Sequence, residues 1–105
     1  MQFDHIAIST QNIKATIGFY VSNFIGTEVL YEDATWALLN CGGVKIALVH
    51  PDEHPEHITF AVSSREELQF EAAKHQASIK IHRDRSESFY MRDPEGNAVE
   101  VVYYP

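Results

Sequence analysis

His5-Ile6-Ala7-Ile8-Ser9 returns 52 residues later as His57-Ile58-Thr59-Phe60-Ala61. Both stretches alternate in polarity or bulk and both read as strands. The echo continues further along. Trp36 to Val49 matches Phe89 to Val102 at a spacing of 53 residues, which sets Trp36 on Phe89, Gly43 on Gly96 and Ala47 on Glu100. Around each echo the same order can be read: strand, helix, strand, strand, strand. The expectation is one domain over residues 1–105 with an internal repeat, 1–50 and 57–105, and a cleft between two similar halves.

The elements follow from local chemistry. After strand Phe3 to Ser9, Thr10 or Asn12 can cap a helix. Ile13, Ile17, Tyr20 and Phe24 share one helical face, and Gly26 supplies a left-handed stop. Strands are expected at Thr27 to Tyr31, Thr35 to Leu39 and Val44 to Val49, parted by Glu32-Asp33 and Cys41-Gly42-Gly43. His50 to Glu56, with two prolines, reads as a linker. The second half opens with strand His57 to Val62. Ser63 with Glu66, or Ser64 with Glu67, forms a capping box for a helix carrying Leu68, Ala72 and His75 on one face. Strands at Ser78 to His82, Ser88 to Arg92 and Ala98 to Tyr103 close the chain.

Composition narrows the class. The 105 residues are 45% hydrophobic and 22% charged, as in globular domains. A net charge of −7 disfavours nucleic acid as a partner. No apolar run reaches the roughly 20 residues of a membrane span, and no basic-then-apolar leader is present, so a cytoplasmic location is expected. The single cysteine, Cys41, reads as a small hydrophobe rather than a nucleophile. His75 and His82 read as surface residues, and His50 and His54 as exposed loop residues.

Chemistry concentrates at the repeated positions. Glu100 stands among Val99, Val101 and Val102, where a lone buried carboxylate would be costly. A cation would balance it. His5 and His57 are equivalent by the repeat, and so are Ala47 and Glu100. Period-two alternation sets His57 with Thr59 and Ala61, and Glu100 with Ala98 and Val102, on faces of smaller side chains. Two imidazoles and one carboxylate on strands make a facial triad with open positions, suited to one divalent ion: Fe, Mn, Zn, Co or Ni. Ala47 offers no donor, which leaves a position for water or substrate. Tyr90, with Ser88 and Arg92 on the preceding strand, is a candidate substrate contact or general acid. Trp36 is read as core or as a wall of the cleft.

His5-Ile6-Ala7-Ile8, Gly18-Phe19-Tyr20 leading to Phe24-Ile25-Gly26, His57-Ile58-Thr59-Phe60, and Phe89 through Glu100 with its Asp93-Pro94-Glu95-Gly96-Asn97 turn resemble the vicinal oxygen chelate superfamily. That group includes glyoxalase I, extradiol dioxygenases, fosfomycin-resistance transferases, methylmalonyl-CoA epimerase and bleomycin-resistance proteins. The resemblance spans essentially the whole chain. It implies an α+β fold: two βαβββ modules forming a cupped eight-stranded mixed sheet with two main helices on the outer face. It also implies a homodimer, metal ligands at His5, His57 and Glu100, and a small substrate that chelates the ion through oxygen.

Departures from the family patterns sharpen this. Glyoxalase I has a second glutamate where this chain has Ala47. Bleomycin-resistance proteins lack the metal ligands that are present here. Arg85-Ser86-Glu87-Ser88-Phe89-Tyr90 resembles the fosfomycin-resistance group. The expected function is a metal-dependent enzyme of lyase or isomerase, dioxygenase or transferase chemistry. The alternative is a non-catalytic protein that binds an antibiotic or another small molecule.

Overall fold

A computed structural model describes all residues, Met1–Pro105. Its elements are β1 (Gln2–Ser9), α1 (Ile13–Asn23), β2 (Glu28–Glu32), β3 (Trp36–Cys41), β4 (Val44–Val49), β5 (His57–Ala61), α2 (Arg65–Lys74), β6 (Lys80–Ile81), β7 (Glu87–Arg92) and β8 (Ala98–Tyr103). The fold is α+β, two βαβββ modules contributing to an eight-stranded mixed sheet of order β2-β3-β4-β1-β5-β8-β7-β6. The chain divides into two compact units, His5–Glu56, and Met1–Asp4 with His57–Pro105. Strand β1 therefore contributes its first residues to one unit and the rest to the other.

In the unit His5–Glu56, β1 runs parallel to β4 with Ala7 beside Ala47, and β3 runs antiparallel to β4 with Leu38 beside Ala47. Asn12 caps α1, its side chain accepting from the Ala15 N–H at 3.1 Å, while Thr10 Oγ1 accepts from the Asn12 N–H. The helix buries Ile13 and Ile17 against Ala37, Leu39 and Leu48. Tyr20 packs on this cluster, but Phe24 does not join it. The backbone is already extended at Phe24, so its ring swings out to 50% exposure beside Phe19 and Tyr20. Gly26 sits at φ +87°, the left-handed region that its lack of a Cβ allows.

The second unit repeats this plan. Strand β5 runs parallel to β8 with Thr59 beside Glu100, and β7 runs antiparallel to β8 with Tyr90 beside Glu100. Ser64 caps α2 through the Glu67 N–H, while the Glu67 carboxylate reaches back to the Ser63 N–H and hydroxyl. Glu66 and Glu67 in the first turn and Lys74 in the last suit the helix dipole. Leu68 and Ala72 pack on Val62, Phe89 and Val101. His75 is the C-cap, not a core residue, and its ring lies 6.4 Å from that of Phe89. Strand β6 is only Lys80–Ile81, shorter than the expected Ser78 to His82. A short, exposed edge strand offers little template for unwanted pairing. Met1–Asp4 belongs here through the Phe3–Phe60 edge contact and the bond from the Tyr104 hydroxyl to Asp4 at 2.8 Å.

The ladders revise the repeat alignment in one place. Ala7 beside Ala47 corresponds to Thr59 beside Glu100, as the two spacings require. In the hairpins, however, Leu38 lies beside Ala47 while Tyr90, not Met91, lies beside Glu100. Between the Arg92–Ala98 pair and the equivalent Asn40–Lys45 pair the connection differs by one residue, residues 93–97 against residues 41–44, the latter including the closing Cys41–Val44 pair. Trp36 thus corresponds to Ser88 rather than Phe89, because Trp36 pairs with Val49 as Ser88 pairs with Val102. It is half-buried and stacks on Tyr31 at 4.5 Å.

Candidate functional site

The turn after β7 fixes where β8 begins. Asp93 Oδ1 accepts from the N–H groups of Glu95 and Asn97, at 2.9 and 2.8 Å, and Gly96 takes φ +87°. Arg92 Nη1 donates to the Gly96 carbonyl at 2.9 Å, so its guanidinium braces this turn. Glu100 then enters the ladder between Thr59 and Tyr90.

Alternation brings polar side chains onto the Glu100 face. Glu100, His57, Thr59 and Ser88 are all buried. Thr59 Oγ1 donates to Glu100 Oε1 at 3.0 Å, and Ser88 Oγ donates to Oε2 at 2.8 Å. His57 Nε2 stands 3.4 Å from Oε1. Burial, the largest single influence, pushes the Glu100 carboxyl up. The bonds from His57, Ser88 and Thr59, with the charge of His57, outweigh it and hold the group at about 2. The carboxylate is therefore anionic in a buried setting.

Tyr90 sets its ring edge-on to His57, with centroids 5.2 Å apart. Burial raises its phenol far above the ordinary range, and the nearby Glu100 charge and a hydrogen bond to Glu100 raise it further. The Tyr90 hydroxyl thus keeps its proton and acts as a donor.

One residue departs from its expected place. His82 is not simply a surface side chain. Its Nε2 lies 2.7 Å from Ser88 Oγ and 3.8 Å from Glu100 Oε2. No local signal points to this, because the approach depends on the β6–β7 register, with Lys80 beside Ser88. Alternation places Thr59 on one face with His57, but its bond to Glu100 depends on the β5–β8 register.

The structure gathers His57, Tyr90, Ser88 and Glu100 within one unit. His5 and Trp36 belong to the other. His5 is half-buried on β1. At Ala47, the position equivalent to Glu100, the side chain is 4% exposed and packs with Ala7, Val49 and Leu38. The polar set Thr59, Glu100 and Tyr90 therefore has an apolar counterpart in Ala7, Ala47 and Leu38.

The donor chemistry suits a divalent cation. Two donors each about 2.1 Å from one ion stand roughly 3.0–3.4 Å apart at ordinary bond angles. The 3.4 Å between His57 Nε2 and Glu100 Oε1 falls in that span. An imidazole and an ionised carboxylate are ligands that Zn, Fe, Mn, Co and Ni accept.

Comparison with known proteins agrees with this architecture. The chain is 30% identical over 112 positions to the metallothiol transferase FosB of Staphylococcus epidermidis, an alignment covering 93% of this chain and 80% of that one. Methylmalonyl-CoA epimerase from Mycobacterium tuberculosis shares the fold with a TM-score of 0.75 at 15% identity, over 99% of this chain and 88% of that one. A glyoxalase/bleomycin resistance protein/dioxygenase superfamily member from Vibrio splendidus 12B01 shares it with a TM-score of 0.69 at 18% identity, over 95% and 97% of the two chains. No helix is long and apolar enough to cross a membrane. Residues 2–101 match the sequence model of the Glyoxalase/Bleomycin resistance protein/Dioxygenase superfamily, and the chain belongs to that superfamily.

Proposed function

We propose that this protein is a divalent-metal-dependent enzyme in which His5, His57 and Glu100 hold the ion and a small oxygen-bearing substrate is its reactant. Each of the three residues offers one ligand atom of a type that binds such ions. The observation that carries the reading is the buried, ionised Glu100 beside His57, with Thr59 and Ser88 holding its two oxygens. A buried anion of this kind is costly unless a cation or dipoles answer it. Family membership supports the same reading.

When bound, the ion would supply Lewis-acid polarisation of substrate oxygens. The chain's own residues supply the rest. Thr59 and Ser88 fix the carboxylate, and Tyr90 offers a hydroxyl donor. Ser88, Arg92 and Trp36 are the proposed substrate contacts, though Arg92 reaches substrate only by leaving its bond to Gly96, and Ser88 only by leaving its bond to Glu100. Likeness to a metallothiol transferase favours thiol transfer over isomerisation. Ala47 favours it too, since no second carboxylate stands there to move a proton. We read the protein as one domain, cytoplasmic, and active as a homodimer.

Metal content tests this. Protein purified without chelator should hold close to one equivalent of a divalent ion per chain. Glu100→Gln and His57→Ala should lose it. A wild type with under about a tenth of an equivalent, and no uptake on dialysis, overturns the metal reading. A screen of fosfomycin with low-molecular-weight thiols, methylglyoxal–thiol adducts and catechols then separates transferase, lyase and dioxygenase chemistry. Ligand binding without turnover on metal-loaded protein would favour the non-catalytic reading.

A further inference from the structure

We propose that His82 is a positioning residue for Glu100, acting through the Ser88 hydroxyl; this rests on the metal-binding role of Glu100 given above. The direction of the hydrogen bonds follows from proton counting. An ionised carboxylate only accepts. Ser88 Oγ has one proton and gives it to Glu100 Oε2 at 2.8 Å. At 2.7 Å from His82 Nε2, the same oxygen must therefore accept, and His82 Nε2–H must donate. The chain His82 Nε2–H to Ser88 Oγ–H to Glu100 Oε2 leaves Ser88 one rotamer and one direction.

The loop that carries His82 is built to hold it there. The His82 N–H donates to the Ser86 carbonyl at 2.8 Å, and the Arg85 N–H to the His82 carbonyl at 2.9 Å. Asp84 Oδ1 accepts from both the Ser86 N–H and the Ser86 hydroxyl, at 2.9 and 2.6 Å. Ser86 is buried, and Arg85 takes φ +71°, a left-handed conformation costly for a residue with a Cβ. A strained, internally bonded tight loop delivers the imidazole to Ser88, whose hydroxyl is held between His82 Nε2 and Glu100 Oε2. Partners behind a ligating carboxylate set its orientation, and removing one typically lowers metal affinity about 10–100-fold.

Co(II) affinity of metal-free protein, measured by competition with a chromophoric chelator, tests this, together with the visible spectrum of the Co(II) form. His82→Leu and Ser88→Ala should each weaken Co(II) about tenfold or more and shift the spectrum. His82→Leu in the Ser88→Ala background should add less than about twofold, because the link is already cut. His82→Gln, whose amide can still donate, should recover most of the affinity. Ser88→Ala leaves the loop untouched, so it reports even if His82→Leu fails to fold. Affinity within twofold of wild type for Ser88→Ala overturns the proposal, as does His82→Gln no better than His82→Leu. Full additivity of the two changes would also overturn it. If wild type itself takes up no Co(II), the metal reading fails and this proposal falls with it. If wild type binds and the variants match it, only the positioning role fails.

Discussion

Thr59 stands directly beside Glu100 across the parallel β5–β8 ladder, and its hydroxyl donates to Oε1 at 3.0 Å. The equivalent pair in the other unit is Ala7 beside Ala47, with no polar atom in either side chain. The same ladder register thus carries a carboxylate site in one half and apolar packing in the other.

Thr59→Val removes one donor and keeps the shape. Thr59 has no exposed surface, so water cannot replace the hydroxyl. A bond to a charged group contributes about 1.5–3 kcal/mol. Urea unfolding of the metal-free protein should show a loss of that size. A change below about 0.5 kcal/mol would mean that the remaining donors to Glu100 suffice without Thr59.

Ala47→Glu places a carboxylate in the cluster of Ala7, Val49 and Leu38. The metal-free variant should unfold at a lower temperature than wild type, because the new charge is buried without a partner. Adding Co(II) should then raise its midpoint more than it raises that of wild type. Equal shifts would mean that a side chain at position 47 does not reach the ion.

Leu68 is fully buried at the centre of the contact between α2 and the sheet. Leu68→Ala should cost about 2–5 kcal/mol, the sum of lost burial and a residual cavity. Chemical denaturation measures it. Phe70, two residues on and 67% exposed, is the control, since Phe70→Ala should cost well under 1 kcal/mol.

Asp33 is the pH probe. The Tyr31 hydroxyl lowers its carboxyl most, followed by the Thr35 N–H, and together with Trp36 they hold it at about 2 against an ordinary 3.8. A carboxyl depressed in the folded state stabilises it above the unfolded value and loses that contribution as pH falls. The stability Asp33 supplies should be complete above about pH 4 and fade toward pH 2. Asp33→Asn should be less stable than wild type at pH 6, and the gap should close by pH 2. A gap that stays constant across that range would refute the assignment.

Much of the architecture is legible in the chain because its causes are local. Asn12 and Ser64 cap helices through their own side chains, Gly26 and Gly96 take backbone angles that other residues resist, and alternation sorts Val101 from Glu100. The repeat of His5 and His57 is likewise plain in the sequence. The face shared by His57, Thr59 and Glu100 also follows from period two. What the sequence could not settle depends on register. One extra residue in the turn after β7 moves Tyr90 opposite Glu100 and sets Trp36 on Ser88, and an ungapped reading of the repeat misses it. His82 reads as a surface histidine, with charged Lys80, Arg83 and Asp84 close to it in sequence. Only the antiparallel β6–β7 pairing, and the loop bonds of Asp84 and Ser86, bring its ring to Ser88. Residue types and strand faces were determined by the sequence itself. Which hydroxyls hold the Glu100 carboxylate was decided by tertiary structure, because hydrogen bonds need a register correct to one residue and periodicity specifies only a side.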